Sequence, residues 1–437
     1  MFKNAFDLSV STTSSRVVDM IDRFLFAMLS FSKEADVIYT AVSLDPECAI
    51  ANAYAASLSL FVGSQDALAQ ATPYIEAAVR HQEQATEHER RFITAIEAWA
   101  KRDMARAIAA HEAIAQQYPR DLLSVQICQF HYANTGNIPG LLDIAQQTFP
   151  ANADNPFAYA MLAFGLEENH QLEAAEIWGR KATDLHRVHP WAHHAVAHVL
   201  ETQGRLEDGI TWMNSVSDTW NTCGSSFYTH LWWHTALFHL DLDNTPVVLN
   251  LYDQHIWDGA RKTAARDQIH SIALLIRLEL RGVEVGDRWL EMAAYLQPRV
   301  TEHVIPFWDL HFIYALTRAG QEDWADEMLS DLQQYSQTVF PSLRPNWAEV
   351  TVPAARGLLA HARGDWTTAV RELESVRDRL YLVGGSHAQR DLFEQIYLDG
   401  LIRLGERQKA IALLYNRVQA RGKIPAVHRA ITQIASA

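Results

Sequence analysis

Cysteine is scarce in this chain. Cys48, Cys128 and Cys223 are the only three in 437 residues. They are too few and too far apart for a disulfide framework or a zinc knuckle, and they suit a reducing cytoplasm, which is the expected location. Positive charge is also short: 37 Lys and Arg against 52 Asp and Glu leave a net −15. A surface that tracks phosphates needs the opposite balance, so nucleic acid is not expected as a partner. Long apolar runs are missing. The densest window, FLFAMLSF at 24–31, is too short to cross a bilayer, so no membrane partner is expected. The opening MFKNAFDLSVSTTSSR has no basic start followed by an apolar stretch, and no secretory leader is expected. Alternating β-branched runs and Asn-Gly hairpin turns are absent, which argues against a sheet. P-loop, dinucleotide and nucleophile-elbow fingerprints are absent too, so no cofactor is expected.

What the chain does contain is helix-forming sequence. Hydrophobic residues make up 49% and charged residues 20%, a balance that supports an ordered fold. Ala, Leu, Glu, Gln and Arg dominate, with apolar residues at helical spacing almost throughout. An internal repeat underlies the pattern. NPFAYAMLAFGLEENHQLEAAEIWGRKATDLHRV aligns with HPWAHHAVAHVLETQGRLEDGITWMNSVSDTWNT, and Pro156 precedes Pro190 by 34 residues. Phe157 matches Trp191, Leu166 matches Leu200, Leu172 matches Leu206, and Trp178 matches Trp212. Turn glycines mark further units at Gly63, Gly204, Gly320, Gly364 and Gly405, with small residues Ala107, Ala369 and Ala410 where a second helix must approach the first.

A 34-residue period with a glycine-centred turn resembles the tetratricopeptide repeat. The resemblance implies an all-α, right-handed α-solenoid of about ten or eleven helix pairs. It should run as a single superhelix over 1–437, irregular at 1–35 and 258–300. The segment YSQTVFPSLRPNW, 335–347, is the expected long loop.

HPWAHHAVAHVLETQGR, 189–205, crowds four histidines into one helix. With Gly204 at the turn, the repeat register sends Trp191, His194, His198 and Glu201 toward the concave groove. It leaves His193 as a packed, hydrogen-bonded imidazole and puts His186 and His189 at the inter-repeat turn as capping or solvated residues. Positions four apart share a helix face, so His194 and His198 stay together whatever the family. In the next helix, SSFYTHLWWHTALFHLDLDN, Asn244 takes the place of the turn glycine. His234, Phe238 and Asp241 then fall on the groove side, and His230 lies one turn before His234. Imidazoles at i and i+4 can hold a transition metal. The HAVAH pattern lacks the general-base Glu of HExxH, so no metal is expected. An ion on His194, His198 and His234 is the secondary reading.

Several stretches together resemble a narrower group, the tetratricopeptide repeat protein 38 family. They are HAVAHVLETQGR (194–205), THLWWHTALFHLDLDN (229–244), NLYDQHIWD (250–258), ERRFITAIEAWAKRD (89–103), PRDLLSVQI (119–127), FWDLHFIYALTRAG (307–320) and GGSHAQRDLFEQ (384–395). The resemblance implies a polar signature at His194, His198, His230, His234, Asp309, His311, His387, Gln389, Arg390 and Asp391, but no activity. Ser386 and Gln389 also read as a capping box. Arg390 near a helix N-terminus suits a carboxylate or phosphate. Asp309 and His311 can equally pair with neighbouring helices.

Two functions follow. In the first, a concave, His-rich groove binds a small ligand or partner peptide through Trp191, Glu201, His230, Phe238, His311, Gln389, Arg390 and Asp391. In the second, the chain is a hydrolase or lyase. His194, His198, His234, Asp309 and His387 supply its acid/base chemistry or metal ligands, and Arg390 anchors an anion. The second requires His194, His198, His234 and Arg390 to face a common cavity.

Overall fold

The computed structural model describes residues 2–63, 65–422 and 424–436. Helix follows helix from Ser15 to Ser436, so the fold is all-α. Among the described residues the strands are two short antiparallel segments, Phe2–Lys3 and Ser9–Val10, with Phe2 opposite Val10.

One local device recurs along the chain. A residue with positive φ closes a helix, and the next helix starts one or two residues later. Gly63, Gly136, Gly204, Gly320, Gly364 and Gly405 all take this conformation, as the sequence predicts for five of them. Arg102, His170 and Asp243 take it at φ 59°, 57° and 63° without being glycine. The turn expected at Asn244 therefore falls one residue earlier. Asn244 is instead the cap of the helix Thr245–Leu251. At several turns the following side chain caps the next helix: Asp103 accepts from the Arg106 amide, Asn137 from Gly140 and Asp365 from Thr368.

Several of these turns fold two helices into a packed pair. Ala49–Val62 packs on Gln65–Arg80, Glu87–Ala100 on Met104–Gln117, Pro156–Glu168 on Leu172–Leu185, and Val352–Ala362 on Trp366–Val376. Pairs then pack on neighbours, as Ala49–Val62 does on Glu87–Ala100 and Pro306–Arg318 on Val352–Ala362. Ala107, Ala369 and Ala410 are buried where the second helix approaches the first.

Helices also form in the regions that fit the repeat least well. Ser15–Leu29 is a 15-residue helix with a strongly apolar face. Within 258–300, Ala265–Glu279 is a helix in which every residue from Asp267 to Leu278 is buried. The expected loop at 335–347 shrinks because the helix Glu322–Thr338 runs into it. Pro341 and Pro345 then sit near the starts of two short helical turns, Pro341–Leu343 and Arg344–Asn346, where a missing amide hydrogen is harmless.

Two compact units emerge from the packing. The first comprises Met1–Ala133, Asn137–Val196 and Val216–Phe227. Its core includes Phe24, Tyr54 and Phe92, with ring centroids 5.3 and 5.0 Å apart. All three cysteines lie in it, reduced and buried, and burial pushes each thiol up to about 12. The second comprises Asn134–Gly136, Ala197–Ser215 and Tyr228–Ala437, with Trp233, Tyr252, Phe312 and Phe393 in its core.

Candidate functional site

The second unit brings histidines together from three helices. Pro190–Thr202 contributes His198 and Glu201, Ser225–Asp241 contributes His230 and His234, and His387–Leu404 begins with His387. Ser386 and Gln389 close the expected capping box, which fixes where His387 enters the helix.

His234 is the hinge of the group and is fully buried. Its Nδ1 lies 3.2 Å from Glu201 Oε2, and its Nε2 lies 3.3 Å from His230 Nε2. With Glu201 ionised the carboxylate only accepts, and Nδ1 then carries the proton while Nε2 presents its lone pair. The His198 ring stands 4.6 Å from that of His234 and meets His387 edge-on at 5.6 Å. Thr202 Oγ1 is 3.4 Å from His387 Nε2. On the far side, the His230 ring is parallel to Trp233 and 4.6 Å from His270, whose Nδ1 shares a hydrogen bond with Thr229. A row of imidazoles thus runs His387, His198, His234, His230, His270. Burial, with neighbouring imidazoles and Arg266 adding to it, holds His230 well below the ordinary histidine range. Burial, then Arg266 and His311, lowers His270 to about 3. Both are neutral at pH 7.

The other expected site residues make contacts with neighbouring protein groups. His311 Nδ1 bonds the Phe307 carbonyl of its own helix at 2.8 Å, and burial lowers its pKa to about 3. Asp309 Oδ2 lies 2.6 Å from His303 Nδ1, and Asp331 holds the other nitrogen of His303 at 3.0 Å. Asp391 forms a two-point ion pair with Arg417, one bond at 2.9 Å, and accepts from Gln395 at 2.7 Å. Arg390 donates to the Gly385 carbonyl of its own turn. Phe238 is fully buried with its ring over Gly209.

That last contact gives a prediction. A Cβ at Gly209 would fall within the contact radius of three Phe238 ring carbons. Gly209→Ala should therefore destabilise by about 1–3 kcal/mol in urea unfolding, outweighing the usual helical preference for Ala. Phe238→Leu in the same chain should recover part of the loss.

Trp191 and His194 belong to the first unit. Their rings stack at 4.8 Å, and His194 also meets Phe164 and Phe227 at 5.6 Å. His193 packs as expected, between the Arg187 carbonyl at 2.9 Å and the Trp220 indole at 3.3 Å. His186 is exposed, but His189 is not solvated. It is buried, with Nε2 3.2 Å from the Pro156 carbonyl.

Sequence reasoning missed Arg277, which is 2% exposed. Its guanidinium lies 5.2 Å above the Trp233 ring and donates to the carbonyls of Ala273 (3.2 Å) and Ala388 (3.0 Å). Burial lowers its pKa to about 10, against the pull of Asp391 and Glu201, so it stays charged at neutral pH. The signal was an arginine inside the apolar run IALLIRLEL.

A separate cleft of about 240 Å³ opens in the second unit among Glu279, Tyr314, Arg318, His361, Asp399 and Arg403. Its charges pair internally, Arg318 with Glu279 and Arg403 with Asp399, while His361 bridges Tyr314 and Asp399. None of the expected site residues lines it.

No family model matches this chain. Among solved structures it is similar to one described as "Structure of Naa15/Naa10 bound to HypK-THB", at 11% identity with a TM-score of 0.25. The likeness covers 96% of this chain and 66% of that one, just under two thirds. The helix pairs described above, not this likeness, carry the fold. No described helix is long and apolar enough to cross a membrane.

Proposed function

We propose that the histidine centre of the second unit binds a small anionic molecule. The observation that carries this reading is the Glu201–His234–His230 cluster, buried in the second unit, with Arg277 held charged against the same aromatic wall. Buried imidazoles suit a small molecule better than an extended peptide, which needs a continuous open face. A buried guanidinium favours a carboxylate or phosphate as the recognised group. Arg277 joins Arg390 as a candidate anchor for the anion. Hydrolysis or elimination at the bound molecule is the enzymatic form of this reading, since a carboxylate-oriented imidazole is the group such chemistry uses. The sequence motifs support membership of the tetratricopeptide repeat protein 38 family, and three separate thiols support a reducing, cytoplasmic setting.

The test is a thermal-shift screen of small carboxylates and phosphate esters beside a peptide library. A ligand at a hundred times its Kd should stabilise the wild type by about 2.7 kcal/mol. Arg277→Met removes the cation but keeps the apolar stem, and it should abolish the response to anions. Shifts with peptides alone, or an equal anion response in Arg277→Met, would sink the reading.

A further inference from the structure

We infer that His198, His230 and His234 together hold one divalent metal ion of the zinc class. The inference deepens the reading above, because the ion would sit in the centre where that reading places the anion.

Distance is the first argument. The Nε2 atoms of His230 and His234 are 3.3 Å apart. Two nitrogens bound at about 2.0–2.1 Å to one tetrahedral ion stand about 3.3–3.4 Å apart, as the tetrahedral angle requires. A direct N–H donor bond favours a shorter separation, about 2.9–3.0 Å. The pair has the spacing of two ligands on one ion.

Orientation is the second. A metal needs the imidazole lone pair, so the other ring nitrogen must carry the proton and be held in place. Glu201 does this for His234 by accepting from Nδ1 at 3.2 Å. That carboxylate–imidazole arrangement leaves Nε2 aimed at the shared point. His230 and His234 are one helical turn apart on Ser225–Asp241, so both rings reach the same side.

The third is the third ligand. One ring nitrogen from each of His198, His230 and His234 lies within 4.8 Å of the others, all on buried residues. Three imidazoles exclude calcium and magnesium, which take oxygen ligands, and favour zinc, cobalt or nickel. The secondary sequence reading named His194, His198 and His234. Here His230 joins His198 and His234.

The experiment uses the full chain, stripped with a chelator, dialysed, and titrated with Zn²⁺ alone and then Co²⁺ alone. The expected result is one ion per chain by elemental analysis, and the intense visible bands of four- or five-coordinate Co²⁺. His230→Ala and His234→Ala should reduce occupancy at least tenfold. His311→Ala, an equally buried histidine outside the set, should keep it. Glu201→Gln retains the side-chain shape and should weaken binding about 10–100-fold, which keeps the test meaningful if an alanine variant misfolds. Folded wild type that takes up no Zn²⁺, or full occupancy in His234→Ala, overturns the inference. Inorganic phosphate binding separates the two readings. A stripped protein that refuses metal but binds phosphate through Arg277 defeats only the ion. A zinc-loaded protein whose phosphate binding ignores Arg277→Met defeats only the anion site.

Discussion

Asp309→Ala loses about 3–5 kcal/mol of folding stability at pH 5.5, and less at pH 9. The side chains of His303 and Asp309 are 1% and 3% exposed, so removing the carboxylate strands a buried imidazolium on the partly exposed Asp331. The pH dependence follows from His303. Burial alone would lower its pKa, but Asp309 and then Asp331 outweigh burial and raise it above 6.5. A histidine with a raised folded-state pKa binds its proton more tightly when folded. Its contribution is complete below pH 6.5 and fades as pH rises through the folded-state value. Wild type and Asp309→Ala should therefore differ most at pH 5.5 and converge toward pH 9 in guanidinium unfolding. A gap that widens with pH would show that His303 is neutral in the fold. Asp309 would then not be its counter-ion.

Asp391→Ala has a comparable effect by a different route. Arg417 is 11% exposed, and Asp391 meets its guanidinium at two points. Truncation leaves the guanidinium desolvated, costing about 3–5 kcal/mol and lowering Tm by on the order of 10 °C for a unit of this size. Asp391→Leu combined with Arg417→Met should restore most of the loss, since a buried pair replaced by apolar side chains is often neutral. The same variant separates two roles for Asp391. If Asp391 binds ligand rather than Arg417, its truncation removes ligand response and leaves Tm where it was.

These two aspartates show how far sequence reasoning reaches. The 34-residue register and the turn glycines were enough to place helix pairs, and they brought His198 beside His234 because the groove faces of adjacent first helices become neighbours. The register slipped by one at Asp243, where an Asp adopts the conformation glycine usually supplies. Partners outside the repeat were not legible. His303 pairs with Asp309 across an irregular junction, and Arg417 reaches Asp391 from the following helix. Arg277 meets the Ala388 carbonyl 111 residues away. A motif shows that polar residues share a short segment. Whether they face a ligand or one another depends on elements that the motif does not contain.

The buried thiols carry a consequence of their own. Cys48, Cys128 and Cys223 are all in the first unit, and the second has none. The thiolate is the reactive form, and at about 12 these groups yield almost none of it while the surrounding helices are closed. An alkylating reagent at neutral pH therefore records the opening of the first unit alone. The labelling rate is a native clock for one half of the molecule, readable by mass spectrometry without an engineered probe.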